Sequence, residues 1–499
     1  MHPASIAILG GGTAGWMAAC LLQHHWPECR ITVIESKAIG IVGVGEGSTP
    51  QLKHFFDTIG VGEAEWMPAA HATYKHGIAF EGWSEDPRYA RYFHPFPSSL
   101  DVHTVHDFFR AAQLRRAGLD VSAHPDAFLL PGRLAEAKLG PEPAADWPFE
   151  TSYGYHFDAH EVGQVLKRVA TGRGVDWRDT TIQRVEVADG AVAALIADDG
   201  ERHEADFFID ASGFRAMIIE QALGTEHLSF ATNLFNDRAV VMPTDVADGG
   251  PECATRAIAM EAGWRWSIPL THRTGNGYVY SSRYLEPEVA EAELRAALGV
   301  GDEVEARHLE MRCGRMAQSW AGNCLAIGLA QGFLEPLEAT ALHLVLATVE
   351  RFIERVDAGG LERDTRDAFN EEIGARYEGI RDYIVAHYRL QKRRDTPYWR
   401  DCAGHDGLSV ALKQLVTTWF TGRDLVEAVG QLGVADYYNA ASWHCLFAGY
   451  GNFPDDRRLR AAGVNDPTVD MDRIERFLAA CETHYRPHVA MLAELEKGA

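Results

Sequence analysis

An α/β fold is what the sequence predicts: a parallel sheet, a mixed region inserted into it, and a helical C-terminal part behind it. Three observations carry this reading. The chain opens with a strand, a glycine turn, a helix and a second strand. Two later apolar runs end in glycine turns of the kind that rejoin such a sheet. From about residue 360 onward, apolar residues recur at spacings of three and four. The 499 residues, 46% hydrophobic and 24% charged, are ample for one large body with subdomains.

In "SIAILGGGTAGWMAACLLQHHWP", residues 6–9 form the short apolar run of a buried parallel strand, and residues 16–22 continue as a helix. Between them, Gly10, Gly12 and Gly15 fit G-x-G-x-x-G. Gly10 permits the tight turn, Gly12 lets the backbone approach a pyrophosphate, and Gly15 lets helix lie close to strand. "RITVIES" supplies the second strand, ending at Glu35, twenty positions after Gly15, where a carboxylate can accept from ribose hydroxyls. "IGIVGVGEGSTP" follows and is too glycine-rich for a helix; Gly43, Gly45 and Gly47 would let the backbone run close against a flat ligand. Later, residues 207–210 of "ADFFIDASGF" read as a strand leading to Gly213. Residues 324–327 of "GNCLAIGLAQGF" read as a strand leading to a turn at Gly328. A dinucleotide fold that returns to its ligand from late in the chain is the habit of FAD enzymes, so FAD is favoured over a nicotinamide.

Composition excludes other classes. Formal net charge is −24, from 47 Lys+Arg against 71 Asp+Glu, which argues against nucleic acid or an anionic membrane as partner. The eight cysteines are scattered, without a C-x-x-C pair, and read as reduced, buried thiols of a cytoplasmic protein. No apolar run reaches the ~18 residues of a membrane helix, and the N-terminus lacks a signal-peptide pattern. His103-x-x-His106 has a metal-compatible spacing but no third ligand, so no metal is expected. His24 and His25 read as a helix end.

Three further segments narrow the reading. "ATYKHGIAFEGWS" places Lys75 just before an alternating strand, Ile78 and Phe80 against Ala79 and Glu81. "GWRWSIP" sets Trp264, Trp266 and Ile268 on one strand face, with Arg265 and Ser267 on the other. "FLEPLEATALHLV" puts Glu338 and Pro336 at the start of a helix whose apolar stripe runs Leu342, Leu344, Val345 and Val349. With "GGGTAGWMAA", "GVGEGSTP", "YHFDAH" at 155–160 and "DYIVAHYRLQKRRDTPYW" at 382–399, these resemble the flavin-dependent halogenases of the tryptophan halogenase family over most of the chain. W-x-W-x-I-P together with the lysine motif is the distinctive part.

That resemblance implies a chemistry. Reduced FAD and dioxygen give a flavin hydroperoxide, halide attacks it, and hypohalous acid passes through an interior tunnel to an aromatic substrate. Lys75 matches the lysine that holds it by hydrogen bond or as a haloamine, and Glu338 matches the assisting glutamate. As an anion, Glu338 would orient the electrophile or take the ring proton. The first-turn N–H groups of Thr340 and Ala341 would form a halide site, because they lack intrahelical partners and face the positive end of the dipole. The flavin is expected on Gly10, Gly12, Thr13, Ala14, Gly15 and Glu35 from the first unit. Gly45, Glu46, Gly328, Leu329 and Leu342 complete that set. The substrate and tunnel are expected among His94, Phe96, Trp264, Trp266, Ile268, Pro269 and Trp443, the tryptophan pair keeping substrate off the flavin. FADH2 would come from a separate, transiently meeting flavin reductase, since one dinucleotide fingerprint is evident.

The chain departs from the family in places. Members commonly read P-L-E-S-T-G where this chain has P-L-E-A-T-A, so Ala339 loses a hydroxyl and Ala341 replaces a glycine. Alanine is strained there if φ is positive and harmless in a helical first turn. Gly328-Leu329-Ala330 lacks the aspartate that related flavin hydroxylases place on the ribityl chain. In "GVADYYNAASWHCLFAGYG", 433–451, the lid of tryptophan-specific members is shortened; Tyr437, Tyr438 and Trp443 remain. An open pocket for indole or substituted indoles is expected, because a site without groups for a zwitterion leaves charges unpaired. Residues 1–355 read as the FAD-binding body, 85–150 as an insertion over the substrate, and 356–499 as a C-terminal helical subdomain; a homodimer is compatible. The alternatives are a flavin hydroxylase that oxidises NAD(P)H directly and a non-catalytic FAD-binding protein. Halide preference, regiochemistry and natural substrate are not written in the sequence.

Overall fold

The computed structural model describes residues 2–37, 45–144, 146–147, 149, 151–463 and 466–498; Gly43, with the rest of 38–44, lies outside them. A six-stranded sheet forms in the order Trp320–Ala321, Cys324–Ala326, Phe207–Asp210, Ser5–Leu9, Arg30–Glu35 and Asp176–Asp179. Its neighbours are parallel except for the first pair. Helix Thr13–His25 packs against helices Ala159–Gly172 and Ala341–Gly359 on the sheet.

The glycine turn shows why side chains are excluded. Gly10 has φ +121°, and a Cβ there would lie 2.2 Å from the carbonyl oxygen of Ala211 on the returning strand. A Cβ on Gly15 would lie 2.0 Å from the carbonyl oxygen of Gly10. At Gly12 the same atom would meet nothing within 4 Å, so its backbone borders open space at the helix start. Asp210 then holds the turn that follows its strand. Its two oxygens accept from Ser212 N and Oγ and from the N–H groups of Ile218 and Ile219.

The inserted region builds a seven-stranded mixed sheet, in the order Arg307–Glu310, Arg238–Thr244, Thr274–Tyr280, Gly263–Pro269, Thr255–Ala259, Gly77–Glu81 and Arg91–Pro95. Strand Gly263–Pro269 alternates as its sequence requires: Trp264, Trp266 and Ile268 are buried, Arg265 and Ser267 half-buried. A three-stranded sheet, Gly45–Gly47, Gly154–Asp158 and Thr73–Lys75, joins the two large ones. The strand of "YHFDAH" is its middle, pairing Gly47 and Thr73 with His156 and Lys75 with Gly154.

Helix Arg363–Leu390 and those following form the C-terminal part. That part is not helical throughout: Tyr485–Pro487 pairs with Leu139–Pro143 of the insertion. His103 and His106 contact phenylalanine rings, and no group of three metal-capable side chains exists among the described residues. All eight cysteines are buried and free, and no described helix is long and apolar enough to cross a membrane.

Trp266 lies flat on Gly277, where an added Cβ would sit 2.0 Å from the indole Cζ2. Gly277→Ala is therefore expected to push the ring aside and destabilise the protein by about 1–3 kcal/mol in urea denaturation.

Candidate active site

Lys75 ends a strand whose three residues are all buried, and its own exposure is 0%. Nζ has no hydrogen-bond partner. It stands 5.4 Å from the centroid of the Phe96 ring, and a Cβ on Gly47 would lie 3.1 Å from it. Burial drives the amine down to about 7, with the charge of Glu338 pulling the other way. The strand is braced from behind. The Glu63 carboxylate accepts from the hydroxyls of Tyr74, Tyr153 and Tyr155, at 2.7, 2.9 and 2.5 Å. From the C-terminal helix, His488 Nδ1–H donates to Pro251 O and Nε2 accepts from Tyr74 N at 3.2 Å.

Beside the lysine, a polar chain fixes a histidine tautomer. Thr73 Oγ1 donates to Pro269 O at 2.7 Å, so it accepts from His156 Nδ1–H, at 3.0 Å. His156 Nε2 is then the acceptor for Thr255 Oγ1, at 2.9 Å. Burial and the neighbouring Lys75 hold this imidazole neutral. The chain ties the end of the W-x-W-x-I-P strand to the lysine strand.

Glu338 does not lie in the first turn of the long helix, as the sequence pattern implied. It closes a separate 3₁₀ turn, Pro336–Glu338, followed by Ala339 at φ +56°; the helix begins afresh at Ala341 with Thr340 as its N-cap. The physical reason is that Pro336 starts a turn whose bond from Ala339 N to Pro336 O is completed by a left-handed residue. The turn aims Glu338 at two histidines. His94 Nδ1 donates at 2.9 Å to one oxygen, and His387 Nε2 lies 2.9 Å from the other. Burial, the largest single influence, favours the neutral acid, but the charges and hydrogen bonds of His94 and His387 outweigh it. Glu338 is held well below the usual carboxylate range.

Around this pair stand Tyr383, Tyr438 and Trp443. The Tyr438 ring stacks on Tyr383 at 3.6 Å, and Trp443 meets Tyr383 edge-on at 4.9 Å. Tyr438 Oη and Trp443 Nε1 are buried without partners. So is Thr340 Oγ1 at the N-cap, while Ala341 has helical backbone and no strain from replacing glycine. The structure thus gathers Lys75, His94, Phe96, Glu338 and the 438–443 segment around one centre.

Of the residues expected to hold the flavin, those of the first turn and Gly328 lie side by side. Gly10, Gly12, Thr13 and Ala14 are half-buried, as are Gly328 and Leu329, and a Cβ on Gly328 would lie 3.0 Å from Ala14 Cβ. Gly15 and Leu342 are buried beneath them. Glu35 is only partly free for a ribose: Oε1 accepts from Lys167 Nζ at 2.5 Å and Trp177 Nε1 at 2.7 Å, while Oε2 faces Gly11. Gly45 packs on Ile268, and burial with nearby Asp158 pushes Glu46 up to about 7. Open backbone at Gly12 over a helix start fits a pyrophosphate-bearing cofactor.

His387, Glu335, Tyr383 and Lys167 escaped the sequence reading. His387 and Tyr383 lie on helix Arg363–Leu390 one turn apart, so the i, i+4 pairing in "DYIVAHYRL" was the available signal.

Comparison with known proteins places nearly the whole chain beside one family. The sequence model of the family described as "Tryptophan halogenase" matches residues 5–466. The 7-chloro-L-tryptophan 6-halogenase KtzR of Kutzneria sp. (strain 744) is 35% identical over 477 residues, 89% of this chain and 90% of its own. Among solved structures, the tryptophan 6-halogenase SttH of Streptomyces toxytricini matches with a TM-score of 0.85 at 29% identity, over 99% of this chain and 100% of its own. BrvH, a flavin-dependent halogenase from Brevundimonas sp. BAL3, matches with a TM-score of 0.82 at 32% identity, over 99% of both chains.

A buried amine without an acceptor weakens the fold, so Lys75→Met should raise Tm, on the order of 2 °C or more. The sign with pH follows from the lowered folded-state value. The unfolded chain binds the proton from about pH 10 downward and the folded one only near 7. The Tm gap between variant and wild type should therefore widen from pH 9 to pH 7 and then level off.

Proposed function

The chain belongs to the tryptophan halogenase family, and from that premise we propose that it places chlorine or bromine on an indole-type aromatic by electrophilic substitution, with Lys75 and Glu338 at the reacting carbon. The observation that carries the proposal is the Lys75 amine: fully buried, unpartnered, brought down to about 7, and in electrostatic reach of an ionised Glu338.

Gly10, Gly12, Thr13, Ala14, Gly328 and Leu329 would hold reduced FAD, which with dioxygen would supply the oxidising equivalents that turn halide into hypohalous acid. The halide is met by Thr340 and Ala341, whose N–H groups open the helix and whose partnerless Thr340 hydroxyl adds a donor. Neutral Lys75 presents a lone pair to hypohalous acid, holding it by hydrogen bond or taking the halogen as a haloamine with loss of water. Glu338, kept ionised by His94 and His387, accepts the proton that the halogenated ring carbon releases. Trp264 and Trp266 separate this chemistry from the flavin.

The substrate end is aromatic. Phe96 lies beside Lys75, Tyr383 and Tyr438 lie within electrostatic reach of Glu338, and Trp443 packs on Tyr383, an arrangement suited to a neutral indole. The shortened 433–451 segment supports the same reading. One dinucleotide fingerprint supports dependence on a separate flavin reductase that meets the enzyme only transiently.

The test combines the protein with a flavin reductase, NADH, FAD, both halides and a panel of indoles, with products read by mass spectrometry. Monohalogenated indole is expected; a chain that binds FAD yet halogenates no indole refutes the proposal. Lys75→Ala and Glu338→Gln should each lower kcat by roughly 10²-fold or more with FAD affinity intact. Because the neutral amine is the working form, kcat should rise with pH through about 7; a fall over that range would assign the work to the ammonium.

A further inference from the structure

A second buried carboxylate lies three residues before Glu338, and the mechanism above does not use it. Glu335 is 0% exposed and takes the extended backbone required before Pro336. Its Oε2 accepts three hydrogen bonds: from Asn236 Nδ2 at 2.9 Å, from Trp264 Nε1 at 3.3 Å, and from the Tyr388 hydroxyl. Tyr388 Oη in turn accepts from Asn236 Nδ2 at 2.9 Å, and Asn236 Oδ1 accepts from Tyr398 Oη at 3.0 Å. Oε1 has no partner.

The three donors, and the Tyr398 that holds Asn236, come from four separate pieces of chain. Asn236 precedes a strand of the mixed sheet, Trp264 is the first tryptophan of W-x-W-x-I-P, Tyr388 follows His387 on the long helix, and Tyr398 lies on the next helix. Asn236, Trp264 and Tyr388 meet the residue that launches the turn carrying Glu338, and Tyr398 steadies Asn236 from behind. Burying a carboxylate here is unfavourable unless its hydrogen bonds organise something. What they organise is the distance between the indole wall and the turn.

We propose that Glu335 is a positioning residue for halogenation, its Oε2 locking the Trp264 indole to the Pro336–Glu338 turn so that wall and proton acceptor keep one geometry. The oxygen is the working element, not the charge. Burial lifts this carboxyl to about 7 against its three donors, so a neutral side chain with the same acceptor is compatible with the site. Loss of the acceptor frees the indole, and oxidant formed at the flavin is then wasted before it reaches substrate. The consequence for turnover rests on the halogenase reading; the tie itself does not.

The experiment has two arms. In protein labelled with ¹⁵N at the indole nitrogens, the signal absent from Trp264→Phe identifies the Trp264 N–H. Its hydrogen exchange should be at least about tenfold faster in Glu335→Leu and unchanged in Glu335→Gln. In turnover, halogenated product per FADH2 consumed should fall about fivefold or more in Glu335→Leu, with FADH2 consumption unchanged, and be restored in Glu335→Gln. Glu335→Leu combined with Trp264→Phe should partition no worse than Glu335→Leu alone. Unchanged exchange in Glu335→Leu, or a Glu335→Gln variant as impaired as Glu335→Leu, overturns the proposal. Should Glu335→Leu not fold, Glu335→Met removes the same acceptor with a side chain of nearly the same length and is expected to accelerate Trp264 exchange; no acceleration overturns the proposal equally. A wild type without halogenated product sinks the functional reading, while the exchange arm still judges the tie.

Discussion

An amine at position 75 with no acceptor, shut away from water, is the constraint around which the rest of the site is arranged. A charged group in such surroundings is unfavourable by several kcal/mol before compensation, so the lysine gives up its proton near neutrality. That makes it a nucleophile where a solvated lysine would be an inert cation. The surroundings then keep it there. Gly47 leaves it room, neutral His156 adds no charge, and the Glu63 tyrosine cluster and His488 brace its strand.

Glu338 obeys the opposite logic with the same physics. It is also buried, yet two imidazoles face its two oxygens, and their electrostatic pull, with the hydrogen bond from His94, outweighs desolvation. Burial thus yields a neutral base at 75 and an anion at 338 because one side chain lacks partners and the other has two. Pairs of groups pushed apart in this way mark acid–base division of labour.

The small three-stranded sheet makes the two halves one device. Its middle strand, Gly154–Asp158, pairs on one side with the glycine-rich Gly45–Gly47 and on the other with Thr73–Lys75. Thr73 binds Pro269 at the end of the tryptophan strand, and Thr13 in the dinucleotide turn donates to Ala159 just beyond the middle strand. The glycine turn, the lysine and the tryptophan strand therefore share backbone neighbours.

By itself the sequence determined the parallel strands, the glycine turn with its three distinct packing duties and the alternation of Gly263–Pro269. Each of these is local: period two, period 3.6, or a glycine whose absent side chain faces a fixed neighbour. The family resemblance is what singled out Lys75 and Glu338 together and supplied the chemistry expected of them. Tertiary structure alone decided that Glu338 closes a 3₁₀ turn instead of opening the helix, and that His94 and His387 hold it from 244 and 49 residues away in the chain. It also decided that Glu335 binds the tryptophan wall, and that Tyr485–Pro487 stitches the C-terminus to the insertion. Charge state and partner choice depend on what is brought close in space and how much water is excluded there. Neither is a property of neighbours along the chain, which is why no spacing rule could have revealed them.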